Sequence, residues 1–173
     1  MYYHPLIHKR RSIRKKNHDY KQKGLYFLTI SCQHMKRFHP FARVRYKQMA
    51  LSYPGMMVEE EWKKLTSRFD NIRLHAFVVM PNHFHSILEI TYSNEHTSAL
   101  GEIVGAFKSI TTCEYIKGIK SRGWKPFHKR LWQRDYWDII IRDERAYFNI
   151  SRYIHNNPKK WIETRSRYWE RRQ

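Results

Sequence analysis

The run Val78-Val79-Met80-Pro81-Asn82-His83-Phe84-His85-Ser86-Ile87-Leu88-Glu89-Ile90 constrains the fold more than any other part of this 173-residue chain. Two β-rich segments flank a Met-Pro-Asn turn, and so short a connection joins antiparallel neighbours. Side chains alternate faces along a strand, so His83 and His85 share one face and Phe84 takes the other. Two imidazoles side by side on a stiff strand make half of a divalent-metal site, or a pair of structural histidines. His-x-His alone does not decide between them.

The rest of the chain arranges itself around this hairpin. Leu25 to Cys32 follows Gly24 and is rich in aromatic and β-branched residues, which predicts a first strand. A basic loop follows, with Lys36-Arg37 and then Arg43 to Lys47. Gly55 to Phe69 is predicted as a helix, with Met57, Trp62, Leu65 and Phe69 at helical spacing. Asn71 to Met80 and His83 to Ile90 are the second and third strands. Ser98 to Ile119 repeats Leu100, Ile103, Val104, Phe107 and Ile110 as a helix does. Ser121 to Leu131 is a basic loop, and Trp132 to Arg142 the fourth strand. Asp143 opens a helix that reaches Asn156 and is expected to stop before Pro158. Lys159 to Gln173 is a last helix or a tail. The order β-α-β-β-α-β plus a C-terminal helix predicts an α+β, ferredoxin-like fold with an antiparallel sheet. Its first and third strands are then central, and the histidine pair sits mid-sheet.

Charge narrows the partner. The chain carries 34 Lys and Arg against 15 Asp and Glu, a formal +19. That exceeds the ~2–8 that keeps a small domain soluble. It points to a polyanion, nucleic acid ahead of an anionic membrane. No apolar run approaches the ~20 residues of a membrane span, and no hydrophobic segment follows the basic N-terminus. Two cysteines, Cys32 and Cys113, are too few for a disulfide framework or a cysteine zinc site. A cytoplasmic, DNA-associated protein is expected. The candidate DNA contacts are Lys9, Arg10, Arg11, Arg14, Lys15 and Lys16 in a basic arm, and Lys108 on the second helix. Arg122, Lys125, Lys129 and Arg130 follow in the loop after it, with Arg134 beyond. Each is otherwise a solvated surface charge. Trp124, Phe127, Tyr136 and Trp137 either stack on unpaired bases or pack in the core.

Tyr153 and Asn157 stand four apart on the last helix, beside the apolar stripe Tyr147, Ile150 and Ile154. A divalent ion held by His83, His85 and the amide oxygen of Asn157 would act as a Lewis acid on a phosphate. Mixed nitrogen and oxygen ligation suits Mn²⁺, and Mg²⁺ less comfortably; a divalent ion, Mg²⁺ or Mn²⁺, is expected. Tyr153 would then be a nucleophile that forms a covalent phosphotyrosine. Glu89 shares the histidine face but is expected to pair with a basic neighbour. His75, His128 and His155 are expected to face DNA or solvent.

Val79-Met80-Pro81-Asn82-His83-Phe84-His85 resembles the His-hydrophobic-His motif of single-tyrosine HUH transposases. Three further segments resemble one branch of them, the REP-associated tyrosine transposases: Trp132-Gln133-Arg134-Asp135-Tyr136-Trp137, Ile140-Ile141-Arg142-Asp143-Glu144, and Tyr153-Ile154-His155-Asn156-Asn157-Pro158. The resemblance implies a transposase domain over residues 24–158, between a basic arm (1–23) and a basic C-terminal extension (159–173). It implies cutting and rejoining of single-stranded DNA near hairpins, through a 5′-phosphotyrosine and a free 3′-OH. His83 and His85 would serve the metal and Tyr153 the attack. Asn157 stands where insertion-sequence relatives usually carry Gln. No obligatory small-molecule cofactor is implied. A monomer is favoured over a homodimer, because a helix of the same chain can reach its own histidines. Two readings compete: a hairpin-binding or regulatory protein without chemistry, and a phosphodiesterase using metal-bound water.

Overall fold

The computed structural model describes Lys15 and residues 17–170, with side chains through Thr164. Strand β1 spans Gly24–Ser31, β2 Ala42–Arg45 and β3 Gln48–Leu51. Helix α1 is Tyr53–Lys63, continued by a 3₁₀ turn over Lys64–Ser67. Strand β4 is Ile72–Val79, β5 His83–Ile90, helix α2 Leu100–Arg122, strand β6 Trp137–Ile141 and helix α3 Glu144–Glu170.

The main sheet has the order β4-β5-β1-β6, antiparallel throughout. The expected ferredoxin-like order is present, with β1 and β5 central. One face carries Tyr26, Leu28, Ile30, Phe84 and Leu88 against Val58, Trp62 and Leu65 of α1 and Leu100, Val104 and Phe107 of α2. The other face carries Phe27, Val78 and Ile87 against Ile150 and Ile154 of α3. Strand alternation therefore divides β5 between the large core and a smaller one beneath α3.

Three local features differ from expectation. The basic stretch after β1 is not all loop: β2 and β3 form a two-stranded hairpin, Ala42 opposite Leu51 and Arg45 opposite Gln48. Its turn residues Tyr46 and Lys47 have φ of 49° and 59°. A two-residue hairpin turn asks for positive φ at both positions and usually takes Asn-Gly there. A Tyr-Lys turn hides the signal. The hairpin is tied to α1 by Ser52, whose N–H donates to the Phe41 carbonyl at 2.9 Å and whose Oγ caps the helix at Gly55 N (3.2 Å). Gly55 is required because a Cβ there would lie 1.9 Å from the Phe41 carbonyl oxygen.

The fourth strand is shorter than expected. Residues 132–136 leave the ladder because Trp132 turns inward, its indole donating to Thr111 Oγ1 at 2.9 Å. Only an isolated bridge to Cys32 remains there.

The last helix runs through Pro158 instead of stopping before it. Proline removes the bond to the Ile154 carbonyl and costs roughly 3 kcal/mol in a helix interior. Packing offsets the loss: Ile154 is fully buried under the sheet, and Trp161, a turn beyond the proline, meets the rings of His39 and His83. The helix end expected before Pro158 thus gives way to a continuous helix.

Candidate active site

The site is built on β5. His83 and His85 lie opposite Ser31 and Thr29 of β1, on the α3 face of the sheet. Both are buried. Their ring centroids are 4.6 Å apart, nearly edge to face. Burial pushes the His83 imidazole down to about 3, with neighbouring His85 adding to the effect. Burial likewise pushes His85 down to about 4, against a backbone hydrogen bond at Leu28 that acts the other way. Both rings are neutral at physiological pH, the state a metal ligand needs.

Neighbours fix how the rings sit. Asn82 donates from Nδ2 to the Met35 carbonyl at 2.6 Å, which turns its Oδ1 toward His83 Nδ1 at 2.7 Å. The amide oxygen can only accept, so His83 carries its proton on Nδ1 and keeps an Nε2 lone pair. The Asn82 carbonyl also accepts from Cys32 N at 2.8 Å, joining the turn to the end of β1. His85 Nδ1 lies 2.9 Å from Thr29 Oγ1, and Phe27 stacks on its ring at 5.4 Å. Sequence reasoning missed Asn82, Thr29 and Phe27 as supports. Asn82 was visible inside the motif, but its bond to Met35 depends on tertiary placement.

Helix α3 brings the rest. Asp143 accepts from Ala146 N at 2.7 Å and caps its start. Tyr153 lies with its ring 5.4 Å from His85 and 6.0 Å from Phe27, and is 40% exposed. Asn157, buried one turn later, donates from Nδ2 to the Tyr153 carbonyl at 3.3 Å. That bond turns the amide nitrogen toward its own helix. Lys160 Nζ is 5.5 Å from the Tyr153 ring centroid, and the Trp161 ring is 5.8 Å from His83. Residues 153, 157, 160 and 161 recur at helical intervals, which gathers a phenol, an amide, an ammonium and an indole along one side.

These residues fit a divalent metal. Among the described residues no three His, Cys, Asp or Glu side chains form a metal cluster. Two neutral imidazoles on one strand face have the chemistry of metal ligands, and the Asn157 amide lies on the helix that crosses them. Glu89 is occupied elsewhere, by Arg73 at 3.3 Å and His75 at 2.9 Å. His75 does not face solvent as expected: its Nδ1 also meets the Tyr147 hydroxyl at 3.1 Å.

The candidate DNA contacts are dispersed. Lys9, Arg10, Arg11, Arg14 and Lys16 lie outside the described residues. Lys15 is exposed, as are Arg122, Lys125, Lys129, Arg130 and Arg134. Arg122 sits over the Trp124 ring at 5.8 Å. Lys108 does different work: its ammonium donates to the Gln133 and Arg134 carbonyls, each at 2.7 Å, and braces that loop. Trp124 and Phe127 pack on Tyr115 and Tyr136 is buried, whereas Trp137 is exposed.

A ferredoxin-like sheet thus holds a histidine pair on a central strand, and the helix that crosses it carries Tyr153 beside that pair. Residues 33–157 match the family model described as "Transposase IS200 like", and the chain belongs to that family. A Haemophilus influenzae protein described only as uncharacterized is 34% identical over 177 residues, covering 92% of this chain and 93% of the relative. A second protein of that organism, named "Putative REP-associated tyrosine transposase", is 25% identical over 148 residues, covering 82% of this chain and 74% of the relative. The solved structure of a REP-associated tyrosine transposase bound to a REP hairpin has the same fold. It matches with a TM-score of 0.59 at 20% identity, over 85% of this chain and 73% of that one. No helix among the described residues is long and apolar enough to cross a membrane.

Proposed function

We propose that this transposase is a single-strand DNA endonuclease and strand transferase of the single-tyrosine HUH type, acting beside REP-type DNA hairpins. The observation that carries the reading is the meeting of Tyr153 with the buried, neutral His83–His85 pair within one chain. The 25% identical relative and the hairpin-bound neighbour support a hairpin substrate by analogy.

His83, His85 and Asn157 would hold Mg²⁺ or Mn²⁺. When bound, the ion supplies Lewis-acid polarisation of the scissile phosphate. The Tyr153 oxygen attacks phosphorus and the phenol gives up its proton. The bond to the 3′ oxygen breaks, and that oxygen takes a proton to become a free 3′-OH. The 5′ end stays on the tyrosine as a phosphodiester. Attack by another 3′-OH reverses the sequence, rejoins DNA and returns a proton to the phenol. Lys160, beside the Tyr153 ring, is placed to pair with the phosphate under attack. Helix α3 reaches the histidines of its own chain, which supports cleavage by a monomer.

The test is a labelled hairpin oligonucleotide with a single-stranded flank, incubated with Mn²⁺ or Mg²⁺ and run on a denaturing gel. A covalent protein–DNA adduct, absent in Tyr153→Phe, is expected. Cleavage that survives Tyr153→Phe would point to attack by water. Binding with no cleavage under either metal would point to a regulator without chemistry.

A further inference from the structure

A groove of about 820 Å³ runs between the β2–β3 hairpin with the start of α1 on one side and the turn after α2 on the other. Its charged lining is Arg37, Arg43, Arg45 and Lys125, and it contains no Asp or Glu. Arg43 and Arg45 are two apart on β2, so they project from the same face. All four cations are exposed, and none makes an ion pair with another described residue. Four cations held close together repel one another and lower stability unless a polyanion neutralises them.

Two further observations indicate what lies in the groove. Tyr53, at the first position of α1, is 75% exposed on the groove wall, a flat aromatic surface beside the cations. Alternating cations and aromatic faces are the means by which proteins hold single strands: charge follows the backbone while rings stack on unpaired bases. His39 also lines the groove and meets the Trp161 ring edge-on at 6.0 Å. Trp161 in turn contacts His83. Two ring contacts therefore link the groove wall at His39 to His83, through Trp161.

The β2–β3 turn itself is strained. Tyr46 and Lys47 both hold positive φ without being glycine or asparagine, and Tyr46 is 99% exposed.

We propose that this groove is the track for the single-stranded segment adjoining the scissile phosphate. Arg43, Arg45 and Lys125 neutralise successive phosphates, Tyr53 supports a base, and the strand passes His39 and Trp161 to reach His83 and His85. The inference rests on the strand-cutting reading and adds to it a defined path for the DNA.

Fluorescence anisotropy with two probes tests it: one hairpin with a single-stranded flank of about ten nucleotides, and the same hairpin blunt-ended. Arg43→Ala/Arg45→Ala should weaken the flanked probe about tenfold and lower its log K against log salt slope by about 1.4, or ~0.7 for each phosphate no longer neutralised. The blunt probe should be bound as before. Arg43→Lys/Arg45→Lys should restore the slope, and Tyr53→Ala should weaken the flanked probe without changing it. These side chains are exposed, and circular dichroism of each variant should match the parent. Equal loss on both probes would place duplex in the groove and overturn the track. Unchanged binding of both would remove the groove from DNA recognition altogether. A parent protein that binds neither probe at any salt would instead overturn the strand-cutting reading itself.

Discussion

The Tyr153 ring sits 5.4 Å from the ring of His85, centroid to centroid, at an interplanar angle of 64°. A helix on one side of the sheet thus delivers a phenol to an imidazole on the central strand of the same chain. Lys160 completes the approach, its ammonium 5.5 Å from the phenol ring. Lys160→Ala should slow adduct formation about tenfold, the loss of roughly 1.4 kcal/mol of phosphate pairing. Lys160→Arg should retain most of the rate. Single-turnover gels on a flanked hairpin measure both, and equal rates in all three proteins would remove Lys160 from the reaction.

Asn82 holds His83 Nδ1 at 2.7 Å and the Met35 carbonyl at 2.6 Å. Asn82→Ala should weaken Mn²⁺ binding by about 10–100-fold through loss of ring orientation. It should also cost about 1 kcal/mol of stability by removing the partner of the part-buried Met35 carbonyl. Titration calorimetry and urea denaturation report the two effects separately.

The positive φ angles at Tyr46 and Lys47 cost roughly 1–2 kcal/mol per residue. Replacing the pair with Asn-Gly should raise stability by about 1–2 kcal/mol, seen as a higher urea midpoint at unchanged m. An unchanged or lower midpoint would show that the turn carries no strain.

Burial raises the phenols of Tyr26 and Tyr115 to about 12, from 10.0 in free chain. The folded pKa lies above the unfolded one, so the unfolded state binds fewer protons between these values. Their contribution is fully present below pH 10 and is lost as pH rises toward 12. Urea midpoints across that range should fall less steeply in Tyr26→Phe/Tyr115→Phe than in the parent. Equal slopes would contradict the raised values.

Sequence periodicity carried much of this fold. The alternation of His83, Phe84 and His85 placed the imidazole pair on one face, and the order of periodic segments yielded the sheet with β1 and β5 at its centre. Helical spacing put Tyr153 and Asn157 on a shared side. What stayed hidden depended on long-range contacts. The β2–β3 hairpin turns on Tyr-Lys, and each of its strands is only four residues long, so neither the turn nor the brief alternation of Ala42, Arg43, Val44 and Arg45 stands out from a basic loop. The passage of α3 through Pro158 depends on packing by Ile154 and Trp161, which local propensity does not contain. Lys108 read as a phosphate contact from its charge alone, yet two loop carbonyls claim its ammonium. The groove joins residues from four separate segments, and only folding brings them together.

The division of β5 between two cores has an evolutionary consequence. Phe84 and Leu88 belong to the large core, while His83 and His85 project to the opposite face. Substitutions at the histidines leave the large core intact, so a lineage can lose the chemistry and keep a well-folded, strongly cationic protein. Inheritance of the scaffold and inheritance of the reaction are separable on this strand, residue by alternate residue.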